Sequence, residues 1–129
     1  MAESWNWLDK QVLLLLHDES LAEHGGLTGI RDEGLLDSAL ARPLNLHAYG
    51  KSDVAELAAS YTEGLAKNHP FVDGNKRAAF LAMGLFLFAN GYRLTATQAE
   101  ATVTMHSAAG EIGEEELAAW IRQHQAKRK

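Results

Sequence analysis

The sequence predicts an all-α protein, and three observations predict it. Apolar residues recur at helical spacing along almost the whole chain, no stretch alternates apolar with polar for long enough to build a sheet, and capping residues, glycines and prolines punctuate the chain at helix-length intervals. The expected architecture is a compact bundle of about six helices around a buried central helix, in one domain spanning residues 1–129.

The elements follow in order. A first helix runs from Trp7 to His24, with Asn6 capping its start, Leu8, Val12, Leu15, Leu16 and Leu21 on one stripe, the Leu13 to Leu16 run in the core, and Gly25-Gly26 supplying a left-handed exit. After Gly29 to Gly34 comes a short helix from Leu35 to Ala41, stopped ahead of Pro43 because the proline ring disfavours helical geometry in the residue before it. Asp53 with Glu56 forms a capping box that opens a third helix, which ends near Asn68, ahead of Pro70. A fourth helix spans Asn75 to Asn90, and its run of apolar residues from Ala78 to Ala89 places it at the centre of the bundle. Gly91 ends it and Tyr92-Arg93-Leu94 is a short extended piece. Thr97 with Glu100 is a second capping box, opening a fifth helix to Ala109. Gly113 precedes the acidic first turn, Glu114-Glu115-Glu116, of a last helix whose Leu117, Trp120 and Ile121 face inward.

Composition excludes several classes of function. With 47% apolar and 22% charged residues the chain is neither disordered nor fibrous, and without cysteine it has no disulfide scaffold, Cys-ligated metal or thiol nucleophile. The longest uncharged stretch, Ala78 to Tyr92, is 15 residues, short of the roughly 18–20 that a spanning helix needs. Met1-Ala2-Glu3-Ser4 lacks the basic region of a signal peptide. A soluble, cytoplasmic protein without membrane contact is expected. The formal charge of −5 argues against direct nucleic-acid binding, and the terminal Lys127-Arg128-Lys129 reads as a solvated, frayed end.

One segment stands apart: His69-Pro70-Phe71-Val72-Asp73-Gly74-Asn75-Lys76-Arg77. It puts a base, a carboxylate, a glycine turn, an amide and two cations at the start of an apolar helix, where free backbone N–H groups and partial positive charge favour phosphate. Gly74 lets the backbone approach an anion, while Lys76 and Arg77 add a point charge and a planar fork of donors. Asp73 would repel a bare phosphate. A magnesium ion resolves the conflict, since it binds one or two carboxylates together with phosphate oxygens. His69 can take the proton from an incoming hydroxyl, because imidazole exchanges protons near neutral pH. Phe71 anchors the loop in the core.

This segment resembles the Fic/Doc signature His-Pro-Phe-x-Asp-Gly-Asn-x-Arg. The resemblance extends over His17-Asp18-Glu19, Gly25-Gly26, the Arg31 to Pro43 stretch and Ala109-Gly110-Glu111-Ile112, which look like the Doc branch. It implies a small helical toxin of a bacterial toxin–antitoxin pair: an ATP-dependent protein kinase that phosphorylates a threonine of elongation factor Tu, stops translation and is inhibited by a Phd-like antitoxin. On the same resemblance His69 is the general base, Asp73 the magnesium ligand, and Gly74, Asn75, Lys76 and Arg77 the phosphate cradle, with Lys67 as auxiliary positive charge. The rival implied function is a Fic-type protein adenylyltransferase, and a third is a catalytically silent antitoxin-binding module. In the adenylyltransferases position 76 is glycine and position 80 arginine; here they are Lys76 and Phe80, a departure that in Doc-like proteins accompanies a reversed nucleotide with the γ-phosphoryl facing the base. The inhibitory Ser/Thr-x-x-x-Glu-Gly/Asn motif of self-restrained Fic enzymes is missing, since Ala59 precedes Glu63-Gly64 and Ile112 follows Ser107 to Glu111.

The remaining polar residues carry plainer readings. His17 and His24 are seven apart, a spacing that admits a metal pair but reads as a solvent-facing stripe. Arg31-Asp32-Glu33 reads as a helix start, with a substrate contact by Arg31 as the lesser option. Trp5, Trp7 and Trp120 read as packing partners, and His47, His106 and His124 have no legible chemical context.

Overall fold

The computed structural model describes residues 4–97, 99–101 and 112–128. Helices α1 (Lys10–His24), α2 (Glu33–Ala48), α3 (Val54–Asn68), α4 (Asn75–Ala89) and α5 (Glu114–Gln123) make a bundle, and strands β1 (Tyr92–Leu94) and β2 (Gln125–Lys127) pair antiparallel beside it, Arg93 opposite Ala126. Between β1 and α5, Thr97 and Glu100 form the expected reciprocal cap at 3.0 and 3.2 Å and residues 99–101 are helical. The rest of that predicted helix to residue 109, His106 with it, lies outside the described residues, as do residues 1–3 and 129.

The bundle is built around a buried central helix, but that helix is α3 and not the more apolar α4. Twelve of the fifteen α3 residues are buried, among them Ala55, Ala58, Ala59 and Ala66, and α2, α4 and α5 all pack on it. Small side chains let the backbones approach: a Cβ on Gly64 would stand 3.3 Å from the Cα of Ala39 on α2. α4 buries Ala78, Ala79, Ala82, Met83, Phe86 and Leu87, while its Phe88 is 57% exposed. Apolarity all round marks α4 as central, yet burial follows the number of neighbours a helix has, and α3 has them on every side.

Three other elements depart from expectation. α2 continues through Pro43 to Ala48 rather than ending at Ala41. An interior proline costs about 3 kcal/mol through a lost hydrogen bond and a clash, and burial of Leu36, Ala39 and Pro43 outweighs it. α1 starts at Lys10, capped by Asp9, because Asn6 is instead locked to α4, its N–H donating to Asn90 Oδ1 at 2.8 Å and its amide to the Ala89 carbonyl at 2.9 Å. The buried stripe of α1 is Leu13, His17 and Leu21, whereas Leu15 is 60% exposed. Of the basic tail, the described residues are not frayed: Gln125–Lys127 forms β2, and the Arg128 guanidinium donates to the Phe88 carbonyl at 2.7 Å and lies 4.0 Å over the Phe88 ring. Trp5 and Trp7 pack on Phe86 as expected, and Trp120 is half-buried against His124. Among the described residues no helix is long and apolar enough to cross a membrane.

Candidate active site

The loop from His69 to Gly74 joins the central helix α3 to α4, and both helices pack into the core that holds its ends. At its start His69 ends α3 in the left-handed region, φ 50 and ψ 54, the sole non-glycine with positive φ among the described residues. Such a conformation costs a β-carbon-bearing residue roughly 1 kcal/mol, and Arg31 holds it there. The Arg31 guanidinium donates to the His69 carbonyl at 2.7 Å and to the Asn68 carbonyl at 3.0 Å, satisfying acceptors that the helix end leaves open. The Arg31 and Asp32 N–H groups both donate to Pro70 O, at 2.7 and 3.0 Å, and the Val72 N–H to Gly29 O at 3.0 Å. Residues 29–32 thus run beside the loop as a one-bridge ladder, Ile30 opposite Phe71. The His69 side chain faces solvent.

Phe71 is buried and anchors the loop as expected. The Asn75 amide reaches back to it, accepting from the Phe71 N–H at 2.9 Å and donating to its carbonyl at 3.1 Å, so this side chain braces the loop and leaves only backbone to meet a ligand. Gly74 begins α4 at φ 72, and no side chain caps that helix. A helix start without a side-chain cap, with its partial positive charge, is receptive to an anion. Asp73 is exposed; its Oδ1 accepts from the Gly74 N–H at 2.9 Å and its Oδ2 from the Leu27 N–H at 3.2 Å. Lys76 is exposed on the first turn, and Arg77 is half-buried with its guanidinium 3.5 Å from the Gly25 carbonyl. Lys67 is turned away along α3, where its ammonium pairs with Glu63 at 2.6 Å.

The residue that sequence reasoning places wrongly is His17. It is 1% exposed rather than solvent-facing, and only His24 of the two lies at the surface. The His17 ring packs 4.3 Å from that of Phe71, and its Nε2 lies 3.0 Å from the Asp73 carbonyl. A carbonyl only accepts, so Nε2 carries the proton; burial pushes the His17 pKa below its ordinary value, against the opposing pull of that hydrogen bond. Two signals point here in the sequence: Leu13, His17 and Leu21 stand four apart, and the Leu13–Leu21 pair is core. Arg31 has no such signal, because its partners lie 37 and 38 residues away.

No group of three or more His, Asp or Glu side chains gathers to hold a metal among the described residues. Within the loop Asp73 offers an exposed carboxylate, with each oxygen accepting one N–H and retaining a lone pair. That donor set fits a magnesium ion whose other ligands are phosphate oxygens and water, and does not fit a metal caged by protein.

Fold and loop together define a class: helical proteins that carry an anion-receptive loop at the entrance to a core helix. Within it the chain belongs to the Fic/Doc family, whose model matches residues 7–87, a span that includes the whole loop. It is 33% identical over 116 residues to the protein kinase doc of Escherichia phage P1, covering 89% of this chain and 92% of that protein. It is 47% identical over 75 residues to the toxin Doc of Mycolicibacterium smegmatis strain ATCC 700084 / mc(2)155, covering 56% of this chain and 57% of that one.

Proposed function

We propose that the chain is a Doc-type toxin of a toxin–antitoxin system, a cytoplasmic, ATP- and magnesium-dependent protein kinase that blocks translation by phosphorylating a threonine of elongation factor Tu and is silenced by a Phd-like antitoxin. The observation that carries this reading is the uncapped start of α4 behind Gly74, with Asp73 before it and Lys76 and Arg77 on its first turn. Backbone N–H groups of that turn bind phosphate oxygens, Lys76 and Arg77 neutralise their charge, and Asp73 holds the metal. Magnesium, when held by Asp73, would supply positive charge to offset the negative charge that develops during transfer. His69 accepts the proton of the attacking threonine hydroxyl; its exposed side chain and its fixed backbone suit that task. The hydroxyl oxygen forms a bond to the γ-phosphorus, the bond from that phosphorus to the bridging oxygen breaks, and ADP leaves. Likeness to a relative named a protein kinase, over nearly its whole length, supports phosphoryl over adenylyl transfer. So does Lys76, a long cation in place of the glycine of the adenylyltransferases.

The test is incubation of the purified chain with elongation factor Tu and ATP labelled separately at the α and γ positions. Label from the γ position alone, on a threonine, is expected. Transfer of the α label with a mass gain of AMP would establish the adenylyltransferase instead, and no transfer from a folded chain would favour a silent antitoxin-binding module.

A further inference from the structure

His17 lies 56 residues from Asp73 in sequence and outside the signature, yet its ring meets three residues of the loop. It packs on Phe71, holds the Asp73 carbonyl, and lies so close to Gly74 that a Cβ there would stand 2.8 Å from its Cε1. We propose that His17 is a positioning residue for the phosphate and metal site, its Nε2–H setting the Asp73–Gly74 peptide and, through it, the aim of the Asp73 carboxylate. This rests on the function proposed above.

The argument is one of peptide geometry. No peptide bond among the described residues is cis, so the C=O and N–H of a single peptide unit point in opposite directions. His17 pins the Asp73 oxygen toward the buried side of the loop, which turns the Gly74 N–H of the same unit outward. There it grips Asp73 Oδ1 at 2.9 Å, and the Leu27 N–H grips Oδ2. The carboxylate is therefore oriented at one remove by a side chain of α1. Space-filling does not account for an imidazole at this position. Among the described residues its buried Nδ1 has no hydrogen-bond partner, a desolvation cost that a leucine would avoid, and the Nε2 donor is what offsets it.

Three variants of the full chain separate the donor from the packing. The glutamine of His17→Gln carries its amide nitrogen as many bonds from Cβ as the histidine Nε2; the asparagine of His17→Asn carries one that stops a bond short; the leucine of His17→Leu fills the space with no donor. The readouts are thermal unfolding, calorimetric binding of magnesium with a non-hydrolysable ATP analogue, kcat and KM for ATP, and the exchange rate of the Gly74 amide without ligand. His17→Leu and His17→Asn are expected to weaken magnesium-dependent analogue binding by about 10- to 100-fold, as loss of a group that orients a metal ligand does, and to speed Gly74 exchange. His17→Gln is expected to stay within about threefold of the parent in both. Equal impairment of the Gln and Leu variants would reduce His17 to a packing residue, and an unimpaired Leu variant would overturn the proposal outright. Should His17→Leu fail to fold, the Gln and Asn pair decides in the same way. If the parent chain binds no magnesium nucleotide, the proposed function falls, while Gly74 exchange still tests His17.

Discussion

His69 sits in a strained backbone conformation, and its neighbours leave its side chain toward solvent. Because its carbonyl, not its imidazole, carries the contacts that hold the loop, His69→Ala should lower phosphoryl transfer by about 10²- to 10⁴-fold with nucleotide binding and the unfolding midpoint nearly unchanged. Calorimetry beside the labelled-ATP assay checks this, and parental activity in the folded variant would remove His69 from the mechanism. Asp73→Ala should act through the metal instead, shifting the magnesium titration of nucleotide binding to higher concentration; an unmoved titration would make the carboxylate a turn residue only. Glycines separate backbone strain from close approach. Gly74 and Gly91 both have positive φ, but a Cβ on Gly91 meets none of the described residues within 4 Å whereas one on Gly74 runs into the His17 ring. Gly91→Ala should cost about 1 kcal/mol, and Gly74→Ala should cost more by the further work of displacing a buried ring, read as the difference in denaturation midpoints.

α3 is the element on which the others depend, and its start is closed by a local signal that works as written. The Asp53 side chain accepts from the Glu56 N–H at 2.8 Å and the Glu56 side chain from the Asp53 N–H at 3.1 Å, while Arg122 of α5 pairs with Asp53 at 2.8 Å. Burial works to raise the Asp53 pKa, but the Arg122 guanidinium and the Glu56 N–H outweigh it and hold the carboxyl below its ordinary value of 3.8. A carboxyl that is more acidic folded than unfolded contributes its stabilisation in full above that ordinary value, and loses it as the pH falls through the lower, folded one. Asp53→Ala should therefore cost about 1 kcal/mol near neutral pH, with the gap to the parent closing in unfolding curves taken below about pH 4. Asp53→Asn keeps a capping oxygen and should lose less, because a pair as exposed as Asp53 and Arg122 contributes little.

The assembled molecule leaves apolar side chains uncovered near the loop and along α1 and α4: Leu27, Val72, Val12, Leu15 and Phe88. In the function proposed above an antitoxin restrains the kinase, and an amphipathic segment laid on exposed apolar side chains is a common way for a partner to bind. Expression of the chain alone should halt growth, expression of His69→Ala should not, and co-expression of the Phd-like antitoxin should restore growth. Growth curves with the three plasmid combinations check this, and unimpeded growth beside active, folded protein would count against the toxin role.

Signals that act within a few residues are legible in the chain as written. The helical class, the Asp53–Glu56 cap, the end of α3 ahead of Pro70 and the glycine-led start of α4 each rest on hydrogen bonds or steric limits between near neighbours. The loop is legible for the same reason, since its chemistry is contiguous from His69 to Arg77. What the chain does not disclose are matters of which face meets which. Pro43 stays inside α2 because burial against α3 outweighs a local penalty, and residues 125–127 form a strand because β1 lies beside them to accept the pairing. His17 is polar and reads as exposed, whereas its partners are Phe71, Asp73 and Gly74, brought to it by the packing of α1 on α4. The spacing of Leu13, His17 and Leu21 puts the three on one face, but which partners that face meets is set by neighbours distant in sequence, and those leave no mark on the local pattern.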